Sequence, residues 1–190
     1  VAFVSEDCYF YAVVARNLAL RGVQSFWGSE LTNGVHPFWL YVLALWEWCV
    51  ARVDSGWLYQ AWFGVPLVVA VTAAGALNWT RVTRHAGLPA ASVFVPLLFL
   101  SLFGLLYSEA HAAFLAHAVL AAAVTQEERA RRARPVIVGL ALAGVALARL
   151  DNVFYVAAFC LWYAWRHADR RAALTMAGVC AVPIAVYLGS

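Results

Sequence analysis

Apolar residues come in long runs with short polar breaks, and the spacing of the breaks predicts helices along the whole chain. Residues 9–20 read as an amphipathic helix. Glu6 and Asp7 stand at its N-terminal end, where carboxylates suit the helix dipole, and Gly22 is placed to cap its end. Asn33-Gly34 signals a turn, and Pro37 opens a Trp-rich helix to Val50 that holds Glu47. Residues 57–78 form an apolar run of membrane-spanning length that ends at a basic cluster. Residues 88–125 suffice for two helices, broken at Ser108-Glu109-Ala110-His111. Residues 136–165 would extend about 45 Å as one helix, too long for one upright span and short for two. Pro135 marks the start of that stretch, and Arg149-Leu150-Asp151-Asn152 interrupts its middle.

The basic residues orient these runs. All 13 are Arg, and most fall into three clusters: Arg81, Arg84 and His85; Arg129, Arg131, Arg132 and Arg134; Arg166, Arg170 and Arg171. By the positive-inside rule all three face the cytoplasm, so the chain between any two crosses a membrane an even number of times. Even parity divides residues 136–165 into two short helices meeting at an outward-facing break, and puts residues 108–111 on the outer side too. If the Pro37 helix lies along the outer interface, residues 1–56 are one external region; if it crosses, the N-terminal region is cytoplasmic. The fold class expected is an all-α, polytopic transmembrane bundle. Residues 1–56 would be an external loop with amphipathic and juxtamembrane helices, and residues 57–190 about six spans.

Composition supports that class. The chain is 65% apolar and 12% charged, with a mean hydropathy of +0.76. An ordinary soluble domain is roughly half apolar and about a quarter charged. The net charge of +3 sits largely in short loops, which serves topology and not nucleic-acid binding. Cys8, Cys49, Cys160 and Cys180 lie far apart without ligand spacing, which argues against a disulfide or zinc framework. There is no signal-peptide pattern and no internal repeat. A chain that opens on Val1-Ala2-Phe3 and ends inside an apolar run reads as a piece of something longer.

Under this topology Glu6, Asp7, Glu30, Glu109 and Asp151 share the outer side with His36, His111 and Arg149. Carboxylates gathered under a hydrophobic roof suit glycosyl transfer from a lipid-linked sugar. One takes the proton of the acceptor hydroxyl, and a cation holds the departing phosphate. Each residue also has a plainer reading. Glu6-Asp7 and Glu109 would serve as helix-start acids, Arg149 and Asp151 as a structural ion pair, and His36 as a turn residue beside Pro37. His111 and His117 read as packing residues, because their spacing is not i, i+4. Asn78-Trp79-Thr80 matches a glycosylation sequon at the inner end of a span and is read as chance.

Glu6-Asp7-Cys8-Tyr9-Phe10-Tyr11, then Ala15-Arg16-Asn17-Leu18, then Thr32-Asn33-Gly34-Val35-His36-Pro37-Phe38-Trp39, resembles the first external loop of bacterial GT-C glycosyltransferases. These are the integral-membrane relatives of protein O-mannosyltransferases and lipid A aminoarabinose transferases. Ser108-Glu109 and Ala148-Arg149-Leu150-Asp151 resemble later family motifs. The sequence departs from the pattern at Glu6 for Asp, Ser108 for Gly-Met and Leu150 for Pro. The resemblance implies a further transmembrane helix before Val1 and more chain after Ser190. It also implies Asp7 as the catalytic aspartate with Glu6 as its neighbour; the candidate substrate-binding residues are Arg149, Glu109, His36, Asp151 and Arg16. The implied partners are a polyprenyl-phosphate sugar donor, membrane lipid and an unidentified acceptor, at the outer face of the cytoplasmic membrane. No cofactor is expected and a divalent metal is not indicated. The alternative is a non-catalytic or transporter-like membrane protein whose Arg149, Asp151 and Glu109 serve packing or ion passage.

Overall fold

The computed structural model describes residues 6–28, 30–32, 35–53, 65–85, 87, 89, 109–130 and 135–189, with only the backbone for residues 6–8, 85 and 126–130. Every regular element among them is helical: α1 (Glu6–Arg21), α2 (Pro37–Val53), α3 (Val65–His85), α4 (Ala110–Ala130), α5 (Pro135–Ala148), α6 (Val153–His167) and α7 (Arg170–Leu188). A short 3-10 turn, Leu150–Asn152, joins α5 to α6.

α1 ends as its sequence predicts. Gly22 adopts φ 70° and its N–H donates to the Leu18 carbonyl at 3.0 Å, a left-handed cap that L-residues adopt at a cost. The segment after it is tied back by side chains. Asn17 Nδ2 donates to the carbonyls of Ser25 (2.8 Å) and Phe26 (3.2 Å), and Gln24 Nε2 donates to the Thr32 carbonyl at 2.8 Å. α2 starts at Pro37 and buries Leu40, Leu43, Ala44, Glu47 and Val50, a stripe at i, i+3, i+4 spacing. That stripe meets Tyr11, Val14 and Ala15 of α1 to form one core.

A second core surrounds α5. This helix is apolar on every side, which suits a central position, and Val138, Leu142, Val145 and Ala148 are fully enclosed. Ala116 and Leu120 of α4, Val156 and Tyr163 of α6, and Ala172, Ala173 and Met176 of α7 complete it. Gly139 lets α7 approach closely: a Cβ there would lie 2.9 Å from the Met176 carbonyl oxygen.

Two helices, α3 over Val65–Arg84 and α7 over Arg170–Leu188, are long and apolar enough to cross a membrane. Only 17% and 22% of those windows is buried within the protein, so most of their apolar surface faces outward. α6 likewise exposes Phe154, Leu161 and Trp165.

Several boundaries differ from expectation. The expected 57–78 span begins outside the described residues, and its helix continues past Asn78 through Arg81 and Arg84. The polar cluster does not end it, because Arg and Thr tolerate helix; the chain turns only near Gly87, at φ 67°. Similarly, α4 runs beyond Thr125 through the good helix formers Gln126, Glu127 and Glu128. The first of the two helices expected in 88–125, the Asn33-Gly34 turn and residues 131–134 of the second basic cluster lie outside the described residues.

Candidate functional site

The break between α5 and α6 carries the best-defined polar cluster. Pro135 to Ala148 is helical, Arg149 takes an extended backbone (φ −152°, ψ 120°), and Leu150–Asn152 form the 3-10 turn before α6. Residues two apart on a continuous helix point to different sides. The break removes that obstacle: Arg149 Nε and Nη2 donate to Asp151 Oδ1 and Oδ2, both at 3.2 Å. Nη1 of the same guanidinium donates to Glu109 Oε1 at 3.2 Å, across 40 positions of sequence. Asn152 steadies the break by donating from Nδ2 to the Val145 carbonyl at 3.1 Å.

Glu109 is positioned by the start of α4. Its carbonyl accepts from Ala113 N at 2.9 Å, so it holds the residue position just ahead of the helix. Its carboxylate is spent on Arg149.

His36 adjoins the cluster from the α1–α2 side. Its backbone N–H donates to the Tyr11 hydroxyl at 2.9 Å, the two rings stack with centroids 6.5 Å apart, and its buried Nδ1 has no hydrogen-bond partner among the described residues. Burial is the largest influence on the imidazole and lowers its pKa, and the charge of Arg149 acts the same way, while Glu109 and Asp151 pull against them. The neutral imidazole is therefore favoured. Hydrogen bonding to Arg149 is likewise the main cause that lowers the Asp151 pKa. Two carboxylates against one guanidinium leave the cluster one formal negative charge.

The Tyr187 hydroxyl, at the end of α7, donates to the Val35 carbonyl at 3.3 Å and ties that helix end to the same region. Beside it is a cleft of about 500 Å³, lined by Leu18, Gln24, Leu31, Thr32, Leu150 and Tyr187 among others. The cluster thus collects the start of α4, the end of α5 and the α5–α6 break, with the end of α7 close by. Arg84, Arg166, Arg170 and Arg171 occupy the opposite helix ends.

Of the residues expected to form a site, the structure brings together Glu109, Arg149, Asp151 and His36. Glu6 and Asp7 occupy the first turn of α1, and their side chains lie outside the described residues. Arg16, expected among the substrate-binding residues, is half-buried on α1, and its charge acts on Glu47 of α2. Exposed Glu30 has a place in the 22–32 segment away from any ion pair among those described. The histidines expected to pack do so. His111 is buried with Nδ1 2.9 Å from Thr72 Oγ1, and His117 Nδ1 lies 2.8 Å from the Ala113 carbonyl of its own helix. Among the described residues no group of His, Cys, Asp and Glu is arranged to hold a metal ion, and Cys49, Cys160 and Cys180 are free thiols. Asn78 turns its amide onto the Ala74 carbonyl of α3 at 2.8 Å.

Sequence reasoning passed over Tyr11 and Tyr187, whose hydroxyls hold the 35–36 backbone, and over Glu47 as a fully buried acid. For Glu47 a signal was present, because it falls on the apolar stripe of α2 at the spacing of Leu40, Leu43 and Val50. Comparison with protein-family models, curated proteins and solved structures finds no match to this chain.

Proposed function

We infer that this chain is part of a polytopic membrane glycosyltransferase of the GT-C kind. It would move a sugar from a polyprenyl-phosphate donor to an acceptor at the outer face of the cytoplasmic membrane. The observation that carries the reading is Arg149, set at a helix break between Glu109 and Asp151 with His36 adjoining, at the helix ends opposite Arg84, Arg166, Arg170 and Arg171. The outward apolar surfaces of α3, α6 and α7 support a membrane setting. The exposed face of α2, with Tyr41, Leu45 and Trp48 and with Arg52 3.5 Å above the Trp48 ring, supports an interfacial position for that helix.

In the reaction proposed, Asp7 accepts the proton of the acceptor hydroxyl as its oxygen attacks the anomeric carbon, and Glu6 tunes the field around it. The anomeric carbon–oxygen bond breaks and its electron pair leaves with the lipid phosphate. Arg149 is the cation suited to receive that phosphate, because a guanidinium binds two oxygens at once. It must first release a carboxylate, and the more exposed Asp151 is the one that water can take up. The test uses the protein in lipid nanodiscs with a panel of polyprenyl-phosphate hexoses and aminosugars, reading release of polyprenyl phosphate by mass spectrometry. Asp7→Asn keeps the shape and removes the base, so turnover should fall about a hundredfold or more. Turnover at the parental rate would overturn the role of Asp7.

One observation favours a second reading. Both edges of the Arg149 guanidinium are already occupied by carboxylates, which is what a structural clamp in a non-catalytic or transporter-like protein requires.

A further inference from the structure

Glu47 is a buried acid that the site just described leaves unused. It is 1% exposed, and its Oε2 has no hydrogen-bond partner among the described residues. It lies on the buried stripe of α2 between Leu43, Ala44 and Val50, in the core that α2 shares with Tyr11, Val14 and Ala15 of α1. A buried carboxylate without partners is costly, whereas a neutral carboxyl in the same place costs far less.

Among the described residues the surrounding charges are few. On α1 the cation that acts on Glu47 is Arg16. α5, which also packs on α2, has no ionisable side chain between Pro135 and Ala148. α3 enters this core through Val68, with its arginines more than three turns further along, and α4 through Ala112, next to His111. His111 stands against Trp39, at the other end of α2, as does His36. On α2 itself Cys49 and Arg52 are exposed.

We propose that Glu47 is a proton-operated latch between α1 and α2, which lets the two helices dock when it is protonated and loosens them when it is ionised. α1 carries Glu6 and Asp7 in its first turn, and its Tyr11 hydroxyl accepts from His36, so the latch governs an element that frames the polar cluster. Burial raises the Glu47 pKa to about 8, with the Arg16 charge opposing, which puts the switch near the physiological range. The raised value fixes the sign. Protonation binds more tightly to the folded state, so this contribution to stability is complete below the ordinary carboxylate pKa and is lost as pH rises through about 8. On ionisation the carboxylate must draw in Arg16 or admit water, and either disturbs the α1–α2 core. This inference does not depend on the glycosyltransferase reading.

The experiment follows the melting temperature of the protein in nanodiscs from pH 5 to pH 10 by tryptophan fluorescence, with hydrogen exchange of α1 amides corrected for intrinsic rates. The parent should lose several degrees between pH 5 and about pH 8 and level off above it, and α1 should exchange faster at the upper end. Glu47→Gln, neutral at every pH, should abolish that loss. Arg16→Gln removes the cation that favours ionisation, so it should move the midpoint of the transition to higher pH. A purely structural role for Glu47 would leave that midpoint in place. Matching pH profiles for the parent and Glu47→Gln would overturn the latch. If Glu47→Gln fails to fold, Arg16→Gln decides alone, and an unmoved midpoint overturns it.

Discussion

At the scale of single residues, the ion cluster sets the sharpest test. Arg149 and Asp151 are both substantially exposed, and exposed pairs are worth about 1 kcal/mol or less. Glu109 is more enclosed, so its contact should weigh more. If Arg149 acts as a structural clamp, Arg149→Ala and Asp151→Ala should each lower stability, and the double mutant should recover part of the loss in a thermal-melt cycle. If it receives donor phosphate, Arg149→Lys should raise the donor KM or lower kcat while the protein stays folded in detergent. Recovery in the cycle with donor affinity unchanged would leave only the clamp. The sequence made Arg149, Asp151 and Glu109 visible because charges within apolar runs stand out. It did not reveal that one guanidinium serves both carboxylates, since that contact joins positions 40 apart.

Among the elements, helix existence was legible and helix ends were less so. Pro37 and Pro135 begin their helices and Gly22 ends α1, because Pro and Gly restrict the backbone locally. Polar boundaries were poor guides: α3 runs through Arg81 and Arg84, and α4 continues past Thr125 through Gln126, Glu127 and Glu128. The α6–α7 turn shows a related limit, since its cap is a side-chain contact, Asp169 Oδ1 accepting from Ala172 N at 2.9 Å, next to Ala168 at φ 52°. Packing between α5 and α7 gives an element-level prediction. At Gly139 an added Cβ would meet Met176 O and Val179 Cβ, each at 2.9 Å, whereas at Gly144, on the same helix, it meets nothing within 4 Å. Gly139→Ala should cost about 1–3 kcal/mol through overpacking against backbone. Gly144→Ala should gain up to about 1 kcal/mol from helix propensity. Equal effects in denaturation of the two variants would show that α7 yields easily at this contact.

For the whole molecule, the proposed membrane setting raises the question of which end of the bundle would face outward. In a single pass along the chain, Arg84 closes α3, Arg166 closes α6, and Arg170 and Arg171 open α7, so these arginines share one set of helix ends; Arg149, and Arg21 and Arg52 at the ends of α1 and α2, stand apart from them. The acids Glu109 and Asp151 mark the other set, and their joint contact with Arg149 shows that the starts of α4 and α6 and the end of α5 lie together. For α3, α6 and α7 helix direction and the position of the arginines therefore agree, and residues 136–165 do form two helices that meet at a break. Under the membrane reading proposed above, the positive-inside bias would put the arginine end in the cytoplasm and the 22–32 segment outside. With Cys8, Cys49, Cys160 and Cys180 replaced, a cysteine at exposed Glu30 should react with an impermeant thiol reagent added outside intact cells. A cysteine at exposed Ala168, between α6 and α7, should react only after the membrane is opened. Labelling of position 168 from outside, with position 30 protected, would invert the orientation and place the Arg149 cluster in the cytoplasm. A donor phosphate presented at the outer face could then not reach it.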